Sequence, residues 1–263
     1  NSYLFDNRMK RQASALIKAG FKLIVISPKT NHKKYFYNLD SVLSIHYPTF
    51  EANSIFAHFF ERIINLSFAL LFISCFILFK RNIKVVHFTN PTDIYVPSFY
   101  WIKLFGIKLI FDQHDLCPEL YMSRRNAKKG LLYNILIKLE KISYKLSDLV
   151  IVTNESYKKV AISRGKIDAN KIFIVRNGPI LDRFKDVVNS KPNDDIIRIG
   201  YIGNINQPDG VYQLVDICSH IKEIDKKINF TFEIIGSGSD LNYMIEYSNK
   251  KNVSNHFNFH GRV

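Results

Sequence analysis

The sequence contains little cysteine, and its three cysteines, Cys75, Cys117 and Cys218, lie far apart. An odd number of widely spaced cysteines, with no CxxC and no Cys/His ligand spacing, argues against a disulfide framework and against a zinc site. A reducing cytoplasmic setting fits this cysteine pattern best.

Acidic residues are also scarce, because 37 Lys and Arg face only 23 Asp and Glu, for a formal net charge of +14. Such an excess attracts polyanions, which include nucleic acid, anionic lipid and phosphorylated substrates. The basic residues are spread along the chain in pairs, without a basic arm, a zinc finger or an RNP-type aromatic motif. We therefore predict no nucleic-acid partner. The composition, with 47% hydrophobic and 23% charged residues, is that of a globular protein.

Long hydrophobic runs are absent except for Ile63–Phe79. This run of about 17 residues is at the low edge for a spanning helix, and Asn65, Ser67 and Ser74 interrupt it. It is too internal for a signal peptide. We expect a helix partly buried in its domain, with one face available to a bilayer surface. A spanning helix is the alternative.

Helical and strand patterns alternate along the chain. Repeated βα units predict a doubly wound parallel sheet. The predicted helices are Arg8–Ala19, a helix around Ile63–Phe79, Asp93–Phe105, Leu131–Leu146 and Glu155–Gly165. The predicted strands are Lys22–Pro28, Ser41–Pro48, Lys84–Pro91, the strand that starts at Lys108, Leu149–Asn154 and Lys171–Gly178.

The polar segment over residues 186–195, which contains Pro192, predicts a linker. We predict a first domain over residues 1–185 and, over residues 196–263, the first half of a second domain. Both ends of the sequence resemble cut ends, so we expect a fragment of a longer protein. The second domain has strands at Ile196–Asn204, Asn229–Gly238 and the final FNFHGRV, with helices at Val211–Ile224 and Asp240–Lys250.

The strand that starts at Lys108 runs from apolar residues directly into Asp112, Gln113, His114 and Asp115. Polar residues gather at the carboxyl ends of buried parallel strands, and open α/β sheets bind their ligands there. A histidine between acidic residues at such an end indicates the rim of an active site. A loop whose histidine merely caps a helix fits the same pattern.

Two strands of the second domain end in glycines, at Gly203-Asn204 and at Gly236-Ser237-Gly238. Glycine there lets a phosphate approach backbone N–H groups, and a following helix N-terminus favours negative charge. Neither is a full GxGxxG followed by an acidic residue, so support for a dinucleotide site is weak. Each alone is best explained as an ordinary turn, but the pair favours a nucleotide.

Eight segments occur in a particular order, and together they resemble a retaining GT-B glycosyltransferase of family 4, of the type that assembles bacterial surface polysaccharides. The resemblance covers essentially the whole chain. It implies an α/β fold with two Rossmann-like parallel-sheet domains (GT-B), the second one incomplete. The segments are ALIKAGFKLIVIS after Asp6 and Arg8, KVVHFTNP, FDQHDLCPE, LVIVTNESY, VRNGPILDRF, GYIGN, EIIGSGSDL and FNFHGRV.

The resemblance implies transfer of a hexosyl-type sugar from a UDP- or GDP-sugar to a lipid-linked or other glycan acceptor, with retention and without a bound metal or cofactor. The C-terminal domain would hold the donor and the N-terminal domain the acceptor. The implied location is cytoplasmic, at the inner face of the plasma membrane, in peripheral contact with anionic lipid. A GT-B sugar-nucleotide epimerase and a non-catalytic nucleotide-sugar-binding module are the alternatives.

Carried over by position, the resemblance also implies roles for single residues. His114 and Asp115 would lie beside the transferred sugar as catalytic residues, and Arg8 and His87 are candidates on the acceptor side. For Arg8, a solvated surface arginine is the alternative. The implied donor-binding residues are Gly203, Asn204, Gly210, Gly236, Ser237, Gly238 and Arg262.

The sequence departs from the family pattern in two places. The family commonly has Arg after the first donor-domain glycine and Lys before the next, whereas this chain has Asn204 and, before Gly210, Asp209. The usual cationic clamp on the diphosphate is therefore missing from these positions. The Glu-x7-Glu pair of the family occurs nowhere in the chain, so we expect residues 1–263 alone to lack useful transferase activity.

Overall fold

The computed structural model describes residues 3, 6–29, 35–39, 41–49, 55–80, 82–91, 93–123, 127–178, 195–225 and 227–263. The chain divides into two compact units, the first being Asn1–Pro118 with Gly130–Pro179 and the second Glu119–Lys129 with Ile180–Val263. Apart from Asp195, the predicted linker over residues 186–195 lies outside the described residues. The predicted domain boundaries therefore stay predictions.

The first unit contains two sheets. A three-stranded sheet has the order β1-β3-β2, and a four-stranded sheet has the order β4-β5-β6-β7. All neighbouring strands are parallel except β2, which pairs with β3 as an antiparallel edge strand that the sequence patterns did not reveal. The strands are β1 (Leu23–Pro28), β2 (Phe36–Leu39), β3 (Val42–Tyr47), β4 (Val85–Thr89), β5 (Lys108–Gln113), β6 (Leu149–Val152) and β7 (Ile172–Ile174).

Among the described residues, five helices lie in the first unit, a sixth (Cys117–Met122) begins there and continues into the second unit, and two of the six begin at a side-chain cap. Asp6 accepts a hydrogen bond from the N–H of Met9 at the start of α1, and Asn154 accepts one from the N–H of Tyr157 at the start of α6. Such caps satisfy backbone donors that the first turn leaves free. The helices are α1 (Asn7–Lys18), α2 (Ile55–Lys80), α3 (Tyr95–Ser98), α4 (Cys117–Met122), α5 (Leu131–Leu146) and α6 (Glu155–Gly165).

The predicted single helix over Asp93–Phe105 is wrong in its form. The segment consists of the short helix α3 followed by a 3₁₀ helix, Tyr100–Phe105, which ends at a left-handed Gly106. Pro97 lies inside α3 and has no N–H to donate to the preceding turn. The N–H of Phe99 then bonds the carbonyls of both Tyr95 and Val96, which marks the change to the tighter winding.

The long helix α2 packs one side into the core of the first unit. Ala69, Ile73 and Ile77 are buried there in one cluster with residues such as Phe99 and Leu109. Phe60–Phe79 is long and apolar enough to cross a membrane by length and composition, with a mean hydropathy of 2.2 and 22% of the segment buried. The structure thus shows the partly buried helix that the sequence favours.

The second unit contains a parallel sheet with the order β10-β9-β8. Val215, Cys218 and Met244, from its two long helices, are fully buried in a cluster with Phe232 and Ile234 of the central strand. Each of these elements was predicted from the sequence, to within a few residues at its ends. They are β8 (Ile197–Asn204), α7 (Gln213–Ile224), β9 (Phe230–Ser237), α8 (Leu241–Lys250) and β10 (Phe257–Gly261).

Candidate functional site

A buried carboxylate lies at the carboxyl end of β5 and gathers four side chains around it. Asp112 has no exposed surface. Its Oδ1 accepts a hydrogen bond from Arg8 Nη2 at 2.7 Å, and its Oδ2 accepts one from Gln12 Nε2 at 2.7 Å. Two imidazole nitrogens also approach Oδ2, namely His87 Nε2 at 3.3 Å and His114 Nε2 at 3.1 Å. Two histidines and an arginine therefore share one carboxylate.

Arg8 connects three parts of the first unit. It belongs to the first turn of α1, it is 6% exposed, and its Nη1 donates to the carbonyl of Val175 at 2.7 Å and to Oδ1 of Asn177 at 2.8 Å. The alternative of a solvated surface arginine is therefore wrong. The hydrogen bonds of Arg8 attach the start of α1 to the ends of the strands. Both terminal nitrogens of Arg8 have internal partners, which favours a role in holding Asp112.

The contacts around Asp112 decide its charge. Burial alone raises the pKa of a carboxyl group, because it disfavours the charged form. The contacts with His114, His87 and Arg8 outweigh burial and hold the pKa of Asp112 well below its usual range. Asp112 is therefore an anion at neutral pH.

An ionised Asp112 sets what the two histidines can do. Each places Nε2 against the carboxylate, while about a fifth of each side chain remains exposed. A neutral imidazole that keeps its proton on Nε2 presents the other nitrogen as an acceptor for a hydroxyl group. A doubly protonated imidazole presents that nitrogen as a donor to an anionic oxygen. Both forms suit a sugar hydroxyl or a phosphate oxygen.

The loop that carries His114 and Asp115 is fixed by Asn90, which follows β4. The Oδ1 of Asn90 accepts from the N–H groups of His114 and Asp115 at 2.7 and 3.0 Å, and its Nδ2 donates to the carbonyl of Asp115 at 2.6 Å. Asn90 is 4% exposed. Asn90 was not singled out from the sequence, although an Asn-Pro pair at the end of a predicted strand was a usable signal.

Behind Asn90 lies a second buried carboxyl group, that of Asp93. Asn90 Nδ2 donates to Asp93 Oδ1 at 3.1 Å, and Ser143 Oγ donates to the Asp93 carbonyl at 2.6 Å. Burial raises the pKa of Asp93 to about 6, against the opposing hydrogen bonds from Asn90 and Cys117. Burial also raises the pKa of the Cys117 thiol, with a contribution from the Asp93 charge. A raised pKa favours the protonated thiol at neutral pH.

A further network supports β5 from the side of α5 and α6. Gln113, at the end of β5, donates from Nε2 to Glu140 Oε1 at 2.9 Å and accepts from Tyr144 Oη at 2.7 Å. The buried Glu140 also accepts from Arg164 Nη1 at 2.6 Å. Because buried charges must be paired, this network holds two helices against the strand that carries Asp112.

The predicted donor-binding residues lie in the second unit, and most of them share one sheet edge. Gly203 pairs with Gly236 and Asn204 with Ser237 at the carboxyl ends of β8 and β9. Gly238 directly follows Ser237, and Arg262 follows β10, the other neighbour of β9. Gly210 lies between β8 and α7, in the left-handed conformation with φ 64°. The donor-binding roles of these residues stay predictions.

The backbone itself accounts for two of the glycines at this edge. A Cβ on Gly236, whose φ is +151°, would overlap the carbonyl oxygen of Gly203. A Cβ on Gly238 would overlap the carbonyl oxygen of Ile205. Asn206 holds the same turn, because its Oδ1 accepts from the N–H of Ser239 at 3.1 Å. Close approach of two chain segments therefore requires Gly236 and Gly238, with or without a ligand.

Within the part of the chain that the structure describes, no group of three or more His, Cys, Asp or Glu side chains has an arrangement that could hold a metal ion. The predicted independence from metal stays a prediction. Of the predicted site residues in the first unit, His114, His87 and Arg8 converge on Asp112, whereas Asp115 contributes its backbone groups to the contact with Asn90.

Three solved structures share the fold. A sucrose-phosphate synthase from Thermosynechococcus elongatus has a TM-score of 0.74 at 14% identity and covers 97% of this chain and 64% of its own. A glycosyltransferase from Rickettsia africae has a TM-score of 0.61 at 18% identity, with 97% and 65% covered. The apo form of the lipopolysaccharide outer core galactosyltransferase WaaB has a TM-score of 0.54 at 16% identity, with 92% and 68% covered. They confirm the predicted α/β class with Rossmann-like parallel sheets.

Sequence comparison agrees with the fold. An uncharacterized glycosyltransferase from Methanocaldococcus jannaschii is 27% identical over 188 residues, which is 67% of this chain and 44% of that relative. The chain thus spans less than half the length of this curated relative. The sequence model of Glycosyltransferase Family 4 matches residues 7–183, which is more than half of the chain and includes Arg8, His87, Asp112 and His114. The chain belongs to glycosyltransferase family 4.

Proposed function

We propose that the protein transfers a sugar from a UDP- or GDP-sugar to a lipid-linked glycan acceptor, with retention of anomeric configuration, during synthesis of a surface polysaccharide. The observation that carries this proposal is the cluster in which His87 and His114 share the buried Asp112 at the carboxyl ends of β4 and β5. The coarser part, sugar transfer, follows from family membership.

In this proposal the first unit binds the acceptor and the transferred sugar. His114 hydrogen-bonds a hydroxyl group of the sugar or an oxygen of the leaving phosphate, and Asp112 holds the imidazole in place. Arg8 acts through Asp112, because its Nη1 and Nη2 are bonded to Val175, Asn177 and Asp112 itself. Fixed donors of this kind stabilise the charge that develops on the leaving diphosphate. No general base is required when the leaving phosphate accepts the acceptor proton.

The second unit binds the nucleotide diphosphate at the carboxyl ends of β8 and β9. Backbone N–H groups next to Gly203 and Gly238 would contact the phosphates, since bare backbone allows close approach. Arg262 is an exposed cation that follows the neighbouring strand β10. It is our candidate for part of the charge that Asn204 and Asp209 do not provide.

Three observations support a lipid-linked acceptor at the inner face of the plasma membrane. The net charge is +14. An apolar helix of 26 residues has much of its surface exposed. One structure of the same fold is a lipopolysaccharide outer core galactosyltransferase. We place the protein in the cytoplasm, in peripheral contact with anionic lipid.

The test is an assay of sugar transfer by the whole open reading frame, with UDP- and GDP-sugars and extracted membrane lipid as acceptor. We expect residues 1–263 alone to transfer no sugar at a useful rate, because they contain no Glu-x7-Glu pair. His114→Ala should lower kcat about 100-fold, as for the loss of other transition-state hydrogen bonds. His220→Ala is the matched control, because His220 is a surface histidine of α7 with 72% of its side chain exposed. Full activity of His114→Ala would refute the assigned role.

A further inference from the structure

The outer side of α2 is apolar and exposed. Ile63, Leu71, Leu78 and Phe79 lie on it, and their exposed fractions rise from 44% for Ile63 to 83% for Phe79. The sequence between Arg62 and Lys80 contains no charged residue. A surface helix of a water-soluble protein carries polar and charged residues on its outer face, so this composition indicates contact with another apolar phase.

One polar residue on this side, Ser67, does not require water. Ser67 Oγ donates a hydrogen bond to the carbonyl oxygen of Ile63 at 2.9 Å, one turn earlier in the same helix. Its hydroxyl group is therefore satisfied inside the helix, as serine hydroxyls in apolar surroundings commonly are. The outer side of α2 can lie against hydrocarbon without leaving this donor unpaired.

The apolar surface continues from α2 onto the 3₁₀ helix. Leu104 is 87% and Phe105 59% exposed. Phe105 and Leu78 line one shallow depression together with Ile77, Ile83 and Ile107. We use the name apolar face of α2 for Ile63, Leu71, Leu78, Phe79, Leu104 and Phe105.

Two lysines lie next to this face in the sequence. Lys84 and Lys108 are exposed and follow the depression residues Ile83 and Ile107 in sequence. The N–H of Lys108 donates to the carbonyl of Lys84 at 2.9 Å, so the two lysines lie side by side at the start of β4 and β5. Both lysines are exposed, although Lys108 also pairs with Asp148 at 3.5 Å, and exposed cations near an apolar surface are complementary to anionic headgroups.

We propose that the apolar face of α2 docks the protein onto an anionic bilayer, with the helix lying in the plane of the interface. A spanning arrangement is incompatible with the fold, because Ala69, Ile73 and Ile77 on the opposite side of α2 are buried in the core. A second copy of the chain is a poorer occupant, since each copy carries a net charge of +14 and like charges repel.

This docking gives the first unit a defined orientation, a step that rests on the proposed function. Near the start of α2, Arg62 Nη1 donates to the carbonyl of Pro91, just after β4, at 3.3 Å. Near its end, Leu78 lines the same depression as Ile83, just before β4. The helix thus runs antiparallel to β4. The strand ends around Asp112 then open sideways over the bilayer, where the headgroup of a lipid-linked acceptor lies.

The test is flotation of the purified protein with phosphatidylcholine vesicles, with and without a minority of phosphatidylglycerol, in the absence of donor and acceptor. We expect binding to vesicles that contain the anionic lipid, and weaker binding to the neutral ones. The double variant Leu71→Glu/Phe79→Glu should bind at least about tenfold more weakly, because its apolar contact is replaced by anions. Leu131→Glu/Ile224→Glu adds the same charge at two other exposed apolar positions, 79% and 83% exposed, and should bind as the wild type does.

Circular dichroism shows whether the variants keep the fold. Wild-type protein that fails to float with either vesicle, or variants that float equally well, would overturn the proposal. A wild-type dimer that becomes a monomer in Leu71→Glu/Phe79→Glu, without vesicle binding, would show that a second copy covers the face. Vesicle binding is measured separately from sugar transfer. Vesicle binding without sugar transfer would refute only the proposed reaction. Sugar transfer without vesicle binding would refute only this inference.

Discussion

Replacing Asp112 by Asn tests whether this carboxylate holds the first unit together. The substitution keeps the size of the side chain but removes the charge that faces Arg8, whose side chain is 7% exposed. An amide nitrogen in the place of Oδ2 also cannot accept the hydrogen bond from Gln12 or a hydrogen bond from either histidine. Breaking a buried ion pair by changing one partner costs about 3–5 kcal/mol. Arg8 keeps its bonds to Val175 and Asn177, so we expect the lower value.

The expected result is a lower melting temperature for the first unit. A loss of about 3 kcal/mol corresponds to about 6–12 °C in a unit of this size. Thermal unfolding followed by calorimetry at pH 7 gives this value. Asp148→Asn is the matched control in the same unit, because Asp148 is partly exposed and pairs with Lys103 and Lys108, and an amide oxygen can still accept its bond from the N–H of Leu109. Such surface pairs contribute about 0.2–1 kcal/mol.

Two further measurements tie the effect to the charge. The pKa of Asp112 is lowered in the folded state, so its contribution to stability is present above the unfolded pKa of about 4 and is lost as the pH falls further. The difference between wild type and Asp112→Asn should therefore shrink below about pH 4. A double-mutant cycle with Arg8→Met should give a coupling of about 1–3 kcal/mol. A melting temperature within about 3 °C of the wild type, or additive effects in the cycle, would refute the reasoning.

The remaining predictions concern other residues of the two units. The pKa of Asp93 is raised to about 6 in the folded state, so the free energy of unfolding should fall by about 2–3 kcal/mol as the pH rises from about 4 to 6. Denaturant titrations of Asp93→Asn should not show this fall. Gly236→Ala should lower the free energy of unfolding of the second unit by about 3 kcal/mol, because the new Cβ overlaps a backbone carbonyl oxygen and the residue has a positive φ. Gly200→Ala is the control; a Cβ there meets nothing within 4 Å, so stability should change by less than about 1 kcal/mol. Arg164→Met should cost about 3 kcal/mol in thermal unfolding, because Glu140 loses its cationic partner; an unchanged melting temperature would contradict that pairing.

Much of the fold could be predicted because local pattern and tertiary structure agree. The helix predicted over Leu131–Leu146 has those same bounds in the structure. The strands were located by short apolar runs that end in polar residues. The exceptions are elements whose form depends on neighbours. The edge strand β2 exists through its pairing with β3, and Pro97 divides a segment whose apolar periodicity continues across it.

The candidate site was predicted in part. His114 was placed at a strand end because a polar run follows an apolar one. Asp112 was noted in that run but received no role, since nothing in its neighbourhood distinguishes it from Asp115. Asn90, which fixes the loop, was not singled out, because the loop N–H groups that its side chain bonds lie 24 and 25 positions further along the chain.

The parallel α/β class, the positions of the strand ends and the family could be read from local patterns, because they depend on periodicity and on the order of short motifs. Tertiary structure alone decided which groups meet. Arg8 and Asp112, which are 104 positions apart in the sequence, form a hydrogen bond. The core covers one side of α2, so the opposite side is exposed. Such contacts depend on strand register and helix packing, which many distant residues fix together, so no local stretch of sequence contains them.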